Sequence, residues 1–247
     1  FSGLVVNHLG ATTNRRTWNI RVTVANPASN AGCTVTTEGV DFFTYLTPTL
    51  TTTGNETICS GETTSIILSH NSGSNSNQRY NWTVVTSGAV GDVTGASNGG
   101  PENHPYTIAQ TLVNNTTSPQ TATYTISVTN VQDGQSCKSA DKVVVVTINP
   151  IPPKPTISEV GDGLTICEDG STTTLQSSNV GGAANTYEWY KSPDFVTPVQ
   201  SGASNQLNLT AVAQSGTYHV KTIGVNPTNC ESTLSDGVVV TIEPLPT

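Results

Sequence analysis

The sequence predicts an all-β chain of tandem β-sandwich domains, and three observations predict it. An ordered set of cysteines and aromatic residues recurs along the 247 residues. Small neutral polar residues dominate, and only 11% of residues are charged against about 25% in typical proteins. Proline follows each copy of the repeat, most densely at residues 150–155. Because Thr and Val favour the half-buried surface of a sheet, we expect sandwiches joined end to end as a rod.

A closing element occurs three times. Each copy begins with an aromatic residue in a strand-like run, continues to a cysteine and ends at a proline. The copies are Trp18, Cys33 and Pro48; Tyr124, Cys137 and Pro150; and Tyr218, Cys230 and Pro244. This order predicts a closing β-hairpin followed by a linker.

An opening element occurs twice, as Thr57-Ile-Cys59 and as Thr165-Ile-Cys167. A tryptophan follows each one at similar spacing, Trp82 in the first case and Trp189 in the second. Each complete unit therefore spans about 100 residues, the size of one sandwich domain. We expect the aromatic residues of the repeat to form the structural core, namely Trp18, Trp82, Tyr124, Trp189 and Tyr218.

The repeat divides the chain into residues 1–48, 49–152 and 153–247. The first segment has a closing element but no opening element, and we expect it to be the C-terminal half of a truncated sandwich. Two explanations stay open for the missing half. It lies upstream in a longer protein, or a second chain supplies the strands, as in donor-strand complementation.

The repeat also predicts how the cysteines pair. Cys59 is expected to pair with Cys137, and Cys167 with Cys230, within one unit each. Cys33 is then unpaired in this fragment, with a partner upstream. Since disulfides form in oxidising compartments, this pairing predicts an extracellular protein.

Two regions resemble known families. Trp189-Tyr-Lys191 and Gln214-Ser-Gly-Thr-Tyr218 resemble strand C and the E-to-F corner of immunoglobulin domains. Residues 49–152 resemble the PKD-like repeats of giant surface proteins in Bacteroidota, through Ile58-Cys59, Tyr80-Asn-Trp82 and the exit Val143–Pro150. In the last unit the usual inter-sheet cysteine positions fall at about Ser177 and Val220. The resemblance implies that Trp189 packs on aliphatic side chains and that Tyr218 forms a tyrosine corner.

The resemblance implies a non-enzymatic repeat segment of a large adhesin that is exported by type IX secretion and held at the cell surface or released. In such a protein the segment acts as a stalk or spacer, with a role in attachment or gliding. The expected partners are neighbouring repeat domains, cell-surface or environmental glycans and the secretion machinery.

Composition and motifs exclude several other classes. A formal net charge of −8 opposes nucleic-acid binding, which requires a basic surface. The longest apolar run, Val143–Val146, is far too short to cross a bilayer, so direct membrane insertion is not expected. Phosphate-binding loops and nucleophile elbows are absent from the sequence, which predicts no enzyme activity.

Two long loops are the candidate ligand sites, because binding residues commonly lie on loops of a rigid scaffold. They run from Asn71 to Gln78 and from Ser87 to His104. The candidate contact residues are Asn71, Asn75, Asn98 and Tyr106. We expect no cofactor except calcium, for which the Asp-Gly pairs at 133, 162 and 169 are candidates, although Asp-Gly also suits a tight turn.

Four functions remain open at this point. The spacer ranks first, ahead of a glycan- or surface-binding module. A subunit of an extracellular filament and an accessory region of a secreted hydrolase follow.

Overall fold

The computed structural model describes residues 4–12, 15–25, 34–36, 40–45, 47–71, 77–132, 134–178, 185–224 and 229–246, with side chains from residue 45 onward. In these ranges every regular element is a β-strand except one 3₁₀ turn, Val212–Gln214. The all-β prediction is confirmed. Among the described residues, no helix has the length and apolarity needed to span a bilayer.

The first unit contributes four strands, β1 (Leu4–Thr12), β2 (Arg15–Ala25), β3 (Thr34–Thr36) and β4 (Val40–Tyr45). The long strand β2 pairs antiparallel with each of the other three. Trp18 lies in β2, opposite His8 on β1 and Phe42 on β4. Cys33 and the side chain of Trp18 lie outside the described part of the structure.

The described residues of the middle unit form eleven strands. They are β5 (Leu50–Thr52), β6 (Glu56–Cys59), β7 (Ile66–His70), β8 (Gln78–Thr86), β9 (Val93–Thr94), β10 (Gly99–Asn103), β11 (Tyr106–Ile108), β12 (Val113–Asn114), β13 (Gln120–Gln132), β14 (Gln135–Lys138) and β15 (Lys142–Asn149). One sheet has the order β10-β8-β13-β15-β6, with β14 paired to the far part of β13. The facing sheet is β11-β7-β5, and β12 pairs with β9.

Alternation along the strands builds the core of the middle unit. In β13 the buried residues include Ala122, Tyr124, Ile126 and Val128, while Thr123 and Thr125 between them are half-buried on the other face. This period of two is what one buried sheet face requires. Trp82 and Tyr124 belong to the core, as predicted.

Where the last unit is described, it forms eight strands and the 3₁₀ turn. The strands are β16 (Ile157–Glu159), β17 (Thr165–Cys167), β18 (Thr173–Ser177), β19 (Thr186–Lys191), β20 (Gln200–Gly202), β21 (Gln206–Leu209), β22 (Gly216–Ile223) and β23 (Val238–Glu243). They form the sheets β16-β18-β21 and β17-β23-β22-β19-β20. In the middle and last units the strand that carries the first cysteine pairs parallel with the last strand, β6 with β15 and β17 with β23.

The core of the last unit agrees with the expected immunoglobulin-like pattern. Trp189 is fully buried among aliphatic residues that include Leu175 and Val220. Ser177 and Val220 are both buried, so they occupy interior positions without a bridge. The hydroxyl of Tyr218 donates a hydrogen bond to the backbone oxygen of Gln214, which is the predicted tyrosine corner.

The predicted disulfide pairing is wrong. The structure joins Cys59 to Cys230, with their Cα atoms 5.6 Å apart, and leaves the thiols of Cys137 and Cys167 free. The bridge therefore links the middle unit to the last unit instead of closing a loop within either one.

Strand register explains why the predicted pairs do not form. Cys59 lies beside Asn149, at the level where β13 begins, whereas Cys137 lies opposite Asn130 near the end of β13. The roughly ten residues between these levels, at about 3.3 Å each, separate the two cysteines by on the order of 30 Å. A disulfide requires Cα atoms within about 7 Å. Cys167 and Cys230 lie at opposite ends of the last unit in the same way.

Candidate functional site

The Cys59–Cys230 bridge lies at the junction between the middle and last units. We call one end of each unit its leading end: in the middle unit it carries the β13–β14 hairpin, and in the last unit it is where the chain after β22 returns to Cys230. The opposite end, which carries Cys59 or Cys167, is the trailing end. The trailing end of the middle unit thus meets the leading end of the last unit, across the proline linker 150–155. A cavity of about 430 Å³ at this junction is lined by residues 59–62, Ile151 and residues 229–231.

A tight turn holds the Cys59 side of the junction. The Cys59 amide donates to Glu62 Oε2 (2.7 Å), and the Glu62 amide donates back to the Cys59 carbonyl (3.0 Å). Gly61 in this turn has a φ of +89°, a conformation that favours glycine. The Ser60 amide donates to the Asn149 carbonyl (2.9 Å), which ties the turn to the last strand. The sulfur of Cys59 is thereby held in one place.

The Cys230 side is held by the strand β22. The Gly224 amide donates to the Cys230 carbonyl (3.0 Å). Two residues later, Ser232 Oγ accepts the Thr222 amide (2.9 Å), and the Ser232 amide donates to the Thr222 carbonyl (2.9 Å). Cys230 itself is 1% exposed. Both half-cystines therefore belong to hydrogen-bonded segments.

One ion pair adds to the covalent bridge. Lys154 of the linker contacts Asp236 of the last unit, with Nζ 2.7 Å from Oδ1. The hydrogen bond and the charge from Lys154 hold the pKa of Asp236 below its usual range. Because Asp236 is almost fully exposed, this pair contributes little to stability.

The loop from Ser87 to His104, predicted as a ligand site, folds back on its own unit. Trp82 Nε1 donates to the Ser97 carbonyl (3.0 Å). Gln110 exchanges hydrogen bonds with Ser97 and also accepts the Tyr124 hydroxyl (2.8 Å). Asn98 Oδ1 accepts the Val84 amide (2.8 Å). The side chains of this loop therefore stabilise the sandwich.

The other candidate contact residues have similar partners where they are described. Asn71 Oδ1 accepts the Thr49 amide (2.8 Å), which joins the start of the Asn71–Gln78 loop to the residue before β5. Tyr106 packs against Trp82 with 5.4 Å between ring centroids, and burial followed by the nearby Glu102 raises its pKa. Asn75 lies outside the described residues. The structure does not bring Asn71, Asn98 and Tyr106 together into one site.

Sequence reasoning missed a cluster of His70, Tyr80 and His104. The two imidazole rings meet edge to face with 4.7 Å between centroids, and the Tyr80 hydroxyl shares a hydrogen bond with His104 Nδ1 (2.9 Å). Burial raises the pKa of Tyr80 to about 12. His70 ends β7 and His104 directly follows β10, far apart in sequence, so only the arrangement of the strands could have placed them together.

The carboxylates of the candidate calcium corners hold turns where they are described. Asp162 Oδ2 accepts the Thr172 amide (2.7 Å), and Asp169 Oδ1 accepts the amide of Ser171 (3.0 Å). In the described ranges, no three His, Cys, Asp or Glu side chains are close enough to hold a metal ion. Asp133 lies outside those ranges.

A family model described as an Ig-like domain, CHU_C associated, matches residues 152–244. Residues 152–244 therefore form an immunoglobulin-like domain. The match covers the whole sandwich from the linker to the last strand, including the Cys230 half of the junction.

Solved structures of immunoglobulin type are similar to the chain at low identity. A marsupial T cell receptor is 14% identical with a TM-score of 0.46, covering 81% of this chain and 74% of the other. The ligand-binding domain of human OSCAR is 12% identical with a TM-score of 0.33, covering 79% of this chain and 98% of the other. No curated protein sequence matches the chain.

Proposed function

We propose that this chain is a non-enzymatic spacer segment of a large, secreted cell-surface adhesin. The observation that carries the proposal is the Cys59–Cys230 bridge, because it joins consecutive units covalently at a second point beside the linker. A single flexible linker lets two domains rotate freely. Two connections restrict that rotation, which is what a spacer that holds a distant tip away from a cell requires.

Three further features support a spacer over a binding module. The linker 150–155 is rich in proline, which favours an extended and semi-rigid backbone. In the two long loops of the middle unit, the side chains of Asn71 and Asn98 bond to backbone of their own unit. The immunoglobulin-like fold with a disulfide is typical of extracellular proteins.

The longer protein that contains this segment is proposed to be an adhesin of the Bacteroidota type, exported by type IX secretion and active in attachment or gliding. Its proposed partners are neighbouring repeat units, surface glycans bound by other parts of the adhesin and the secretion machinery. The Bacteroidota-type resemblance of residues 49–152 and the match to a CHU_C-associated domain support this assignment.

Small-angle X-ray scattering of the full chain tests the bracing role. We expect the oxidised protein to give a narrow distance distribution, and the Cys59→Ser variant to give a broader one with a smaller mean radius of gyration, because the released units can bend toward each other. The matched control is Cys167→Ser, which removes a free thiol and leaves the bridge intact. Identical curves for the parent protein and Cys59→Ser would contradict the proposal.

A further inference from the structure

Cys167 occupies the same place in the last unit as Cys59 does in the middle unit. Cys59 lies beside Asn149 on the last strand of its unit, and Cys167 lies beside Glu243. The residue after each cysteine donates its amide to the carbonyl of that same partner, Ser60 to Asn149 and Glu168 to Glu243, at 2.9 Å in both cases. The trailing ends of the two units thus present their cysteines identically.

Cys137 is equivalent to Cys230 at the leading ends. Cys137 lies opposite Asn130, and Asn130 is six residues after the buried Tyr124. The Cys230 carbonyl accepts the amide of Gly224, and Gly224 is six residues after the buried Tyr218.

A serine two residues after each cysteine clamps the neighbouring strand in the same way. Ser139 accepts the Val128 amide, and Ser232 accepts the Thr222 amide. The match extends to backbone bonds, side-chain bonds and register.

These equivalences form a serial pattern in which a trailing-end cysteine bonds the leading-end cysteine of the next unit. Cys59–Cys230 is one such bond. Cys167 has an exposed thiol at the trailing end of the last unit, and Cys137 has a half-buried thiol at the leading end of the middle unit. Neither has a partner within its own unit, because the matching cysteine lies about 30 Å away.

We propose that Cys167 and Cys137 each form an inter-unit disulfide of the same kind as Cys59–Cys230. Cys167 takes the leading-end cysteine of a following unit of this type, and Cys137 takes the trailing-end cysteine of a preceding one. The inference rests on the proposed spacer function. It implies that a disulfide joins each unit of the spacer to the next.

The bond forms by thiol–disulfide exchange with a small-molecule disulfide such as oxidised glutathione. The Cys167 thiolate attacks that disulfide, forms a mixed disulfide and releases one glutathione thiol. The partner thiolate then attacks the Cys167 sulfur and releases the second. Two protein thiols are oxidised to one disulfide, and one glutathione disulfide is reduced to two thiols.

A tandem protein tests the inference. Residues 154–247 are appended directly after Thr247, so that Pro244, Leu245 and Pro246 take the places of Pro150, Ile151 and Pro152 and the linker keeps its length. After refolding with oxidised and reduced glutathione, non-reducing peptide mapping should find the original Cys167 bonded to the Cys230 of the added copy. The original Cys167 should also lose its reactivity toward iodoacetamide, whereas the Cys167 of the added copy should keep it.

Two controls make the result decisive. A tandem with Cys167→Ser should leave the Cys230 of the added copy alkylated, and the Cys59–Cys230 bridge in the same sample reports correct folding. If the original Cys167 stays reactive beside an intact Cys59–Cys230 bridge, the inference is overturned. Absence of that bridge, or pairing of the original Cys167 with Cys137, would overturn it as well. The spacer proposal depends on the scattering of Cys59→Ser, so either proposal can fail alone.

Discussion

At the scale of single residues, buried tyrosines of one sheet in the middle unit bond to side chains that lie just beyond strand ends. Tyr124 reaches Gln110, and Tyr80 reaches His104, each through its hydroxyl. Burial raises the pKa of both phenols to about 12, with a smaller contribution from Glu56 at Tyr124. The folded state therefore favours the neutral phenols.

The raised pKa values of Tyr80 and Tyr124 predict that the folded protein loses stability at alkaline pH. Each phenol ionises at a pKa of 10.0 when unperturbed, so its contribution is fully present below that pH. It falls as the pH rises from about 10 to about 12, because the unfolded chain loses the proton first. We expect the free energy of unfolding, measured by urea titration at each pH, to decline over this window.

The double variant Tyr80→Phe/Tyr124→Phe isolates the effect. Its stability should be lower at pH 7, since two hydrogen bonds are lost, but its decline above pH 10 should be shallower. A decline parallel to that of the parent protein would assign the alkaline sensitivity to other groups.

At the scale of elements, the serine that follows each leading-end cysteine fixes the hairpin. Ser139→Ala leaves the buried Val128 amide without its acceptor, and Ser232→Ala does the same to Thr222. An unsatisfied buried donor costs roughly 1–3 kcal/mol. Urea unfolding of the oxidised full chain should show a loss of that size for both variants.

Ser136→Ala is the matched control for Ser139→Ala, because Ser136 lies on β14, three residues before Ser139, and is exposed. Its effect should stay within about 0.5 kcal/mol. Equal effects at positions 136 and 139 would argue that the clamp does not stabilise the hairpin.

The same elements show what a sequence can and cannot predict. The repeated order and spacing of cysteines and aromatic residues were sufficient to predict the sandwich and the burial of Trp189 and Tyr218, because each copy of a repeat places equivalent residues in its core. The bridge was mispredicted because the repeat identifies equivalent cysteines but not distances. Equivalent positions in neighbouring units can pair within a unit or between units, and only the register of β6 and β14 decides between them.

The candidate site was harder to predict for a related reason. Asn98 and Asn71 are typical loop residues in sequence, yet their amides bond to backbone of the sandwich. His70 and His104 meet only because β7 and β10 end at the same level. Contacts of this kind depend on loop paths, which the alternating pattern does not specify.

At the scale of the whole molecule, the bridge changes the path that carries tension. In a chain with no bridge, force passes along the backbone through each unit in turn. With Cys59 joined to Cys230, the covalent path leaves the middle unit at β6 and enters the last unit at its hairpin. The 171-residue separation between these cysteines is then shielded, and most of both sandwiches carries no load.

Single-molecule stretching of the full chain measures this shielding directly. Reduction of the bridge should add up to about 600 Å of contour length, since an extended chain spans at most about 3.6 Å per residue over the 171-residue loop. Cys59→Ser should show the longer contour without reductant, and Cys167→Ser should behave like the parent protein. If oxidised and reduced chains reach the same final length, tension does not pass through the bridge, and the spacer would depend on its sandwiches alone to resist extension.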